Sequence, residues 1–244
     1  MMKKNLLEVC CGSPEDAITA FRAGADRVEL NRALELGGLS PTSAEVSFVK
    51  SAAPELIVIA MVRPRGGGFT YSDAEYARML TECEDLLNAG ADGIAFGFLT
   101  EDGNVDEART TAFAELIHRN GRQAVFHRAV DITPEHDAAF ESLIRVGIDR
   151  VLTSGGEVTA IAGADEIARL QARFGNRITI LPGSGINAGN AAELIQKTGV
   201  SEIHSSCKEP ASDPTAKRGN VDFGGYSEVS PGKVALLLNT LEDL

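Results

Sequence analysis

One local pattern occurs four times along the chain. Ala23-Gly24-Ala25-Asp26-Arg27-Val28-Glu29-Leu30, Ala89-Gly90-Ala91-Asp92-Gly93-Ile94-Ala95-Phe96, Val146-Gly147-Ile148-Asp149-Arg150-Val151-Leu152-Thr153 and the looser Thr198-Gly199-Val200-Ser201-Glu202-Ile203-His204-Ser205 share it. Each reads as a helix end, a glycine in the C-terminal cap, a small apolar residue, a polar residue and a short strand. Successive glycines lie roughly 50–65 residues apart, about the chain that a βαβα unit needs. Four other apolar runs fall between them, at Leu6 to Cys10, Leu56 to Val62, Gln123 to His127 and Ile178 to Leu181. Each is followed by a helix-start signal: Ser13 before Pro14, a capping box from Ser72 to Glu75, Thr133 before Pro134, and Asn187. Eight short Val/Ile/Leu-rich strands alternating with eight helical segments predict an α/β fold, a single-domain (β/α)8 TIM barrel over residues 1–244. A doubly wound open sheet is the alternative; the fourfold recurrence favours a closed ring, which gives equivalent units equivalent surroundings. The stretch from Lys208 to Pro231, rich in Pro, Gly and Ser, predicts a long loop over 208–231 after the eighth strand, placed where a lid would sit.

Lys plus Arg number 23 against 35 Asp plus Glu, a formal charge of −12. That balance argues against a nucleic-acid partner, which needs a basic face. No apolar run approaches the roughly 20 residues that span a bilayer. The apolar stretch after Met1-Met2-Lys3-Lys4 stops at Glu8, too short for a secretory core, so no membrane partner and a cytoplasmic location are expected. Cys10, Cys11, Cys83 and Cys207 are then expected as reduced thiols.

A TIM barrel carries its working residues at the C-terminal ends of its strands. Strand alternation turns Leu7, Val9 and Cys11 toward the helices and Glu8 and Cys10 toward the axis, and likewise selects Glu29 and Asn31 on the second strand. The third strand gives Arg63 and Arg65, the fifth His127, Arg128 and Asp131, the sixth Thr153 and Ser154, and the eighth His204 and Ser206. Inward carboxylates are costly unless paired, and Arg63, Arg65, Arg128 and His127 are the partners this reading offers. Gly183-Ser184-Gly185, opening a helix after the seventh strand, presents backbone N–H groups suited to an anion; a tight turn that needs glycine for backbone reasons is the plainer alternative. No Cys-x-x-Cys or His-Glu-x-x-His occurs, so zinc is not indicated by spacing. If the chain is an enzyme, Glu8 or Glu29 would serve as general base and His127 or His204 as acid or electrophile. Arg63, Arg65, Arg128, Asp131, Ser154, Gly183, Ser184, Gly185 and Ser206 would then hold a phosphorylated or otherwise anionic small molecule.

Several longer strings resemble one family. Glu8-Val9-Cys10, Gly24-Ala25-Asp26-Arg27-Val28-Glu29-Leu30, Glu35-Leu36-Gly37-Gly38-Leu39-Ser40-Pro41, Val62-Arg63-Pro64-Arg65-Gly66-Gly67, Leu99-Thr100-Glu101-Asp102-Gly103-Asn104-Val105-Asp106, Phe126-His127-Arg128-Ala129, Leu152-Thr153-Ser154-Gly155 and Pro182-Gly183-Ser184-Gly185-Ile186-Asn187 resemble the CutC copper-homeostasis family over roughly residues 6–207. The resemblance implies a (β/α)8 barrel, a cytoplasmic location, a homo-oligomer with a dimer as the expectation, and copper handling with Cu(I) as the ion. It also implies a metal role for Cys10. The family's second cysteine follows the Glu-Leu of the second strand, where this chain has Asn31.

Overall fold

The computed structural model describes residues 5–244; the basic start over residues 1–4 lies outside them. Eight parallel strands, β1 (Leu6–Cys11), β2 (Arg27–Leu30), β3 (Ile57–Met61), β4 (Gly93–Phe96), β5 (Gln123–Phe126), β6 (Arg150–Thr153), β7 (Thr179–Pro182) and β8 (Glu202–Ser205), form a nearly closed TIM barrel. The ladder runs β7-β6-β5-β4-β3-β2-β1-β8, and β7 and β8 lie side by side at the seam, tied there by Ser205 Oγ donating to Ile186 O at 2.6 Å. Helices α1 (Pro14–Arg22), α2 (Ser43–Ala52), α3 (Asp73–Asn88), α4 (Glu107–Arg119), α5 (His136–Arg145), α6 (Ala164–Phe174), α7 (Ala191–Thr198) and α8 (Pro231–Glu242) accompany the strands.

The fourfold motif has a physical cause. Gly24, Gly90, Gly147 and Gly199 all take positive φ, from 72° to 104°, in the cap that ends each helix. The polar residue two places on then reaches back to the preceding odd strand: Asp26 accepts from Leu7 N, Asp92 from Val58 N and Asp149 from Ala124 N, at 2.8–3.0 Å. In the fourth copy the backbone of Ser201 does the same for Leu6 N. Each repeat thus satisfies an N–H at the start of a neighbouring strand, its first or second residue.

Alternation splits the barrel into two cores. Leu7, Val9, Cys11, Val28, Leu30, Val58, Ala60, Ile94, Phe96, Ala124, Phe126, Val151, Ile180 and Ile203 face the helices in one apolar cluster. Ile59, Met61, Ala95 and Val125 form a separate cluster inside the barrel. That cluster sits on the β3–β5 side, with Leu152 of β6 and Leu181 of β7 buried apart from it. The other side is ionic: Glu8 pairs with Arg27, Arg27 Nη2 with Glu202 at 2.7 Å, and Arg150 Nε with Glu202 at 2.8 Å. Arg150 Nη1 continues to Gln123 Oε1 at 3.0 Å.

Ser13 and the Ser72–Glu75 box cap α1 and α3 as expected. Two helix starts differ from expectation. Thr133 donates its hydroxyl to Val130 O and closes a 3-10 turn, so α5 begins only at His136. Asn187 spends its side-chain oxygen on Gly189 N, and α7 begins at Ala191. The segment expected as a long loop over 208–231 also differs. It folds into a β-arm in which β9 (Lys208–Ala211) pairs with β12 (Tyr226–Val229) and β10 (Lys217–Arg218) with β11 (Val221–Asp222), both antiparallel.

Candidate functional site

The C-terminal end of the barrel opens into a cavity of about 280 Å³. Of the residues selected from the sequence, Cys10, Glu29, Asn31, Arg63, His127, Arg128, Ser184, Gly185, His204 and Ser206 line it. The remainder lie behind that wall. Glu8 sits beneath His204, with its Oε1 2.7 Å from Nδ1. Asp131 holds Arg128 at 2.7 Å and accepts from Thr153 and Ser154, which buries Ser154 completely. Gly183 packs against the His204 ring, where an added Cβ would stand 3.3 Å from Cδ2. Arg65 is turned away: Glu75 takes Nε at 2.6 Å, and Thr70 and Gly66 carbonyls take the rest of the guanidinium. Among the described residues, the β-arm contributes none of those that line the cavity.

The expected partners of the inward carboxylates were Arg63, Arg65, Arg128 and His127. The structure replaces them. Glu8 is paired by Arg27 and His204, while Glu29 Oε2 accepts from Asn31 Nδ2 at 2.9 Å and faces the Cys10 thiol. Arg27, Arg150 and Glu202 lie at the starts of their strands, outside the strand-end positions that the barrel rule selects. Parity alone selects them, since Arg27 lies two residues before Glu29 and Glu202 two before His204. Phe69 was missed too; it lies between Arg63 and His127, with the guanidinium 5.1 Å from its ring centre and the imidazole 4.8 Å.

Charge is distributed unevenly around the cavity. Burial alone would raise the Glu8 carboxyl, but Arg27 and His204 outweigh it and hold Glu8 well below the usual carboxylate range. Burial would strip the proton from His204, yet Cys10, Glu8 and Glu29 overcome it and hold the imidazole well above its ordinary value. Burial pushes the Cys10 thiol and the Glu29 carboxyl up. Cys10, Glu29 and His204 each present one ligand atom, all within 4.8 Å of one another, the one such His/Cys/Asp/Glu group among the described residues. Because Glu8 takes Nδ1, His204 is left with Nε2 for that cluster, the carboxylate–imidazole arrangement that orients metal-binding histidines. Cys11 and Cys207 cannot join it. Cys11 faces the helices and its thiol donates to Val9 O, while the Cys207 thiol lies against Ser205 Oγ.

His127 behaves oppositely to His204. Burial and the nearby Arg63 cation push it down to about 3, so it is neutral. Ala129 N donates to its Nδ1 at 3.2 Å, which places the proton on Nε2. The unfolded chain regains an ordinary histidine near 6.5, so the residue is neutral in both states above that pH, and folding is penalised as pH falls from there toward 3 because only the unfolded chain takes up the proton. By pH 4 that penalty amounts to about 3 kcal/mol. Denaturant titrations from pH 7 to 4 are expected to show a shallower acid loss for His127→Gln than for the wild type; parallel profiles would contradict the assignment.

The CutC family profile matches residues 5–209. A CutC family protein of Treponema denticola is 45% identical over 225 residues, covering 92% of this chain and 90% of that protein. The human copper homeostasis protein cutC homolog is 38% identical over 203 residues, covering 83% of this chain and 73% of that protein. The crystal structure of a CutC protein from Streptococcus agalactiae superposes with a TM-score of 0.77 at 29% identity, over 83% of this chain and 98% of that chain. Profile, relatives and fold agree that this chain belongs to the CutC family.

Proposed function

We propose that this protein acts in copper homeostasis by holding one Cu(I) ion at Cys10 and His204, in a reducing cytoplasm. The reading is carried by the Cys10–Glu29–His204 cluster at the barrel mouth. Its donor chemistry fits the ion: a thiol and an imidazole nitrogen are the soft and borderline ligands that Cu(I) prefers, and all four cysteines are free. Glu29 stands beside the thiol and supplies negative charge when ionised. Asn31 Nδ2 lies 3.6 Å from Cys10 Sγ and offers no soft donor, so a single thiol carries the soft contribution. Copper here is cargo, and the residues that hold it also line an open cavity from which it can be passed on.

Titration of Cu(I) against a competing chromogenic chelator tests the reading. One tightly held ion per chain is expected. The same affinity is expected after Cys11→Ala, Cys83→Ala and Cys207→Ala together, since those thiols lie outside the cluster. No retained ion, or loss of binding in the triple variant, would overturn it.

A further inference from the structure

Arg63 is buried, 7% exposed, and has no carboxylate partner among the described residues. Its Nη1 donates to Leu36, Gly37 and Gly38 carbonyls and its Nη2 to Gly67 O, all neutral acceptors. Buried charges in proteins are ordinarily paired. A guanidinium whose bonds go only to backbone carbonyls keeps its full charge uncompensated. Its Nε–H makes no well-formed hydrogen bond, and the Tyr71 hydroxyl that the guanidinium also meets is neutral.

A second donor stands in the same condition. His127 is 4% exposed, and its Nε2, which carries the proton, has no partner. An unmet buried donor costs about 1–3 kcal/mol, so the unpaired His127 Nε2–H beside an Arg63 cation without a counter-charge, in residues that line one cavity, points to an acceptor that the chain does not supply. Phe69 packs against both side chains and holds them on the same wall. The carbonyl bonds that fix Arg63 leave it no freedom to swing toward Glu29 or Asp131. On the other lip, the backbone N–H groups of Gly185, Ile186 and Ser206 also find no acceptor among the described residues.

We infer that Arg63 and His127 form a binding subsite for the carboxylate of a small organic acid, which accepts from His127 Nε2–H and lies against the Arg63 guanidinium. The ligand's negative charge is the counter-charge that Arg63 lacks. Because His127 is neutral, the pair presents one positive charge and two N–H groups, which matches a monoanionic carboxylate better than a dianionic phosphate. The subsite shares the cavity with the Cys10 cluster and stands whether or not copper binds there.

Proton–nitrogen correlation spectra of the His127 ring, recorded on the metal-free full chain, test the inference. Acetate, oxalate and inorganic phosphate are titrated at constant ionic strength with chloride as the balancing ion. A saturable downfield shift of the His127 Nε2–H resonance is expected with a carboxylate. His127→Leu should weaken that carboxylate's binding at least tenfold, read by the shift in thermal midpoint. His127→Gln, which keeps an N–H in nearly the same place, should restore most of it, and Cys10→Ser should leave it unchanged. Three results would overturn the inference: no saturable shift in the wild type with either carboxylate, saturation by phosphate alone, or equal binding in His127→Leu. The first and second need no variant and therefore no assumption about folding.

Discussion

Replacing Arg27 by methionine is expected to cost about 3–5 kcal/mol of stability, far more than the loss of a surface arginine. Arg27 bridges the Glu8 and Glu202 carboxylates inside the barrel, and Glu8 is only 2% exposed. Methionine fills the volume but leaves Glu8 with His204 as its hydrogen-bonded cation and only the more distant field of Arg150. Glu202 keeps Arg150, so the damage centres on Glu8. The double variant Arg27→Met, Glu8→Gln should regain part of the loss, because the stranded charge is gone. The sign with pH is fixed by the same pair. A carboxyl held below its ordinary 4.5 contributes stability above that pH and loses it as pH falls. The penalty of Arg27→Met should therefore shrink in acid. Urea denaturation of the single and double variants at pH 7 and pH 4 measures both effects. A cost below 1 kcal/mol would show that the internal ion chain does not support the barrel.

Cys10→Ser is expected to lower Cu(I) affinity by about 100-fold, or ~2.8 kcal/mol. A hydroxyl is a hard donor and a poor ligand for this ion, and no other thiol faces the cavity. The reverse change is as informative. Asn31, just past the end of β2, lies against Cys10, and Cys10 pairs with Glu29 in the register. Asn31→Cys would place a second sulfur beside the first and is expected to tighten Cu(I) binding by about tenfold or more. Both substitutions spare the apolar core, so circular dichroism and the thermal midpoint should move little. Unchanged affinity in Cys10→Ser would remove that residue as a ligand. Unchanged affinity in Asn31→Cys would mean that the ion, if bound, approaches from elsewhere.

The barrel and the inward set were legible because both rest on periodicity. A period of two forces Glu8, Cys10, Glu29 and Asn31 onto one face wherever Leu7, Val9, Val28 and Leu30 must meet helices, and the two separate apolar clusters follow that division. The glycine of each repeat was legible because few other residues accept positive φ at a helix end. What stayed hidden depends on contacts between distant segments. Which arginine reaches Glu8 is set by strand register, and Glu8 stands opposite Arg27 and His204 rather than beside Arg63. Thr133 and Asn187 carry side chains that cap helices but close turns equally well, and here the turn prevails. The β-arm lacks an apolar run because its strands pair with each other and leave Val221, Phe223 and Tyr226 exposed. The same short range hides a counter-charge that is missing: nothing in the local sequence around Arg63 shows that its bonds go only to carbonyls.

Copper K-edge X-ray absorption of the protein loaded with one equivalent of Cu(I) measures the proposed ligand set directly. The account predicts a monovalent edge with one sulfur neighbour from Cys10 and a nitrogen neighbour from His204, and loss of the sulfur contribution in Cys10→Ser. A first coordination sphere without sulfur, or a spectrum that Cys10→Ser leaves unchanged, would contradict it.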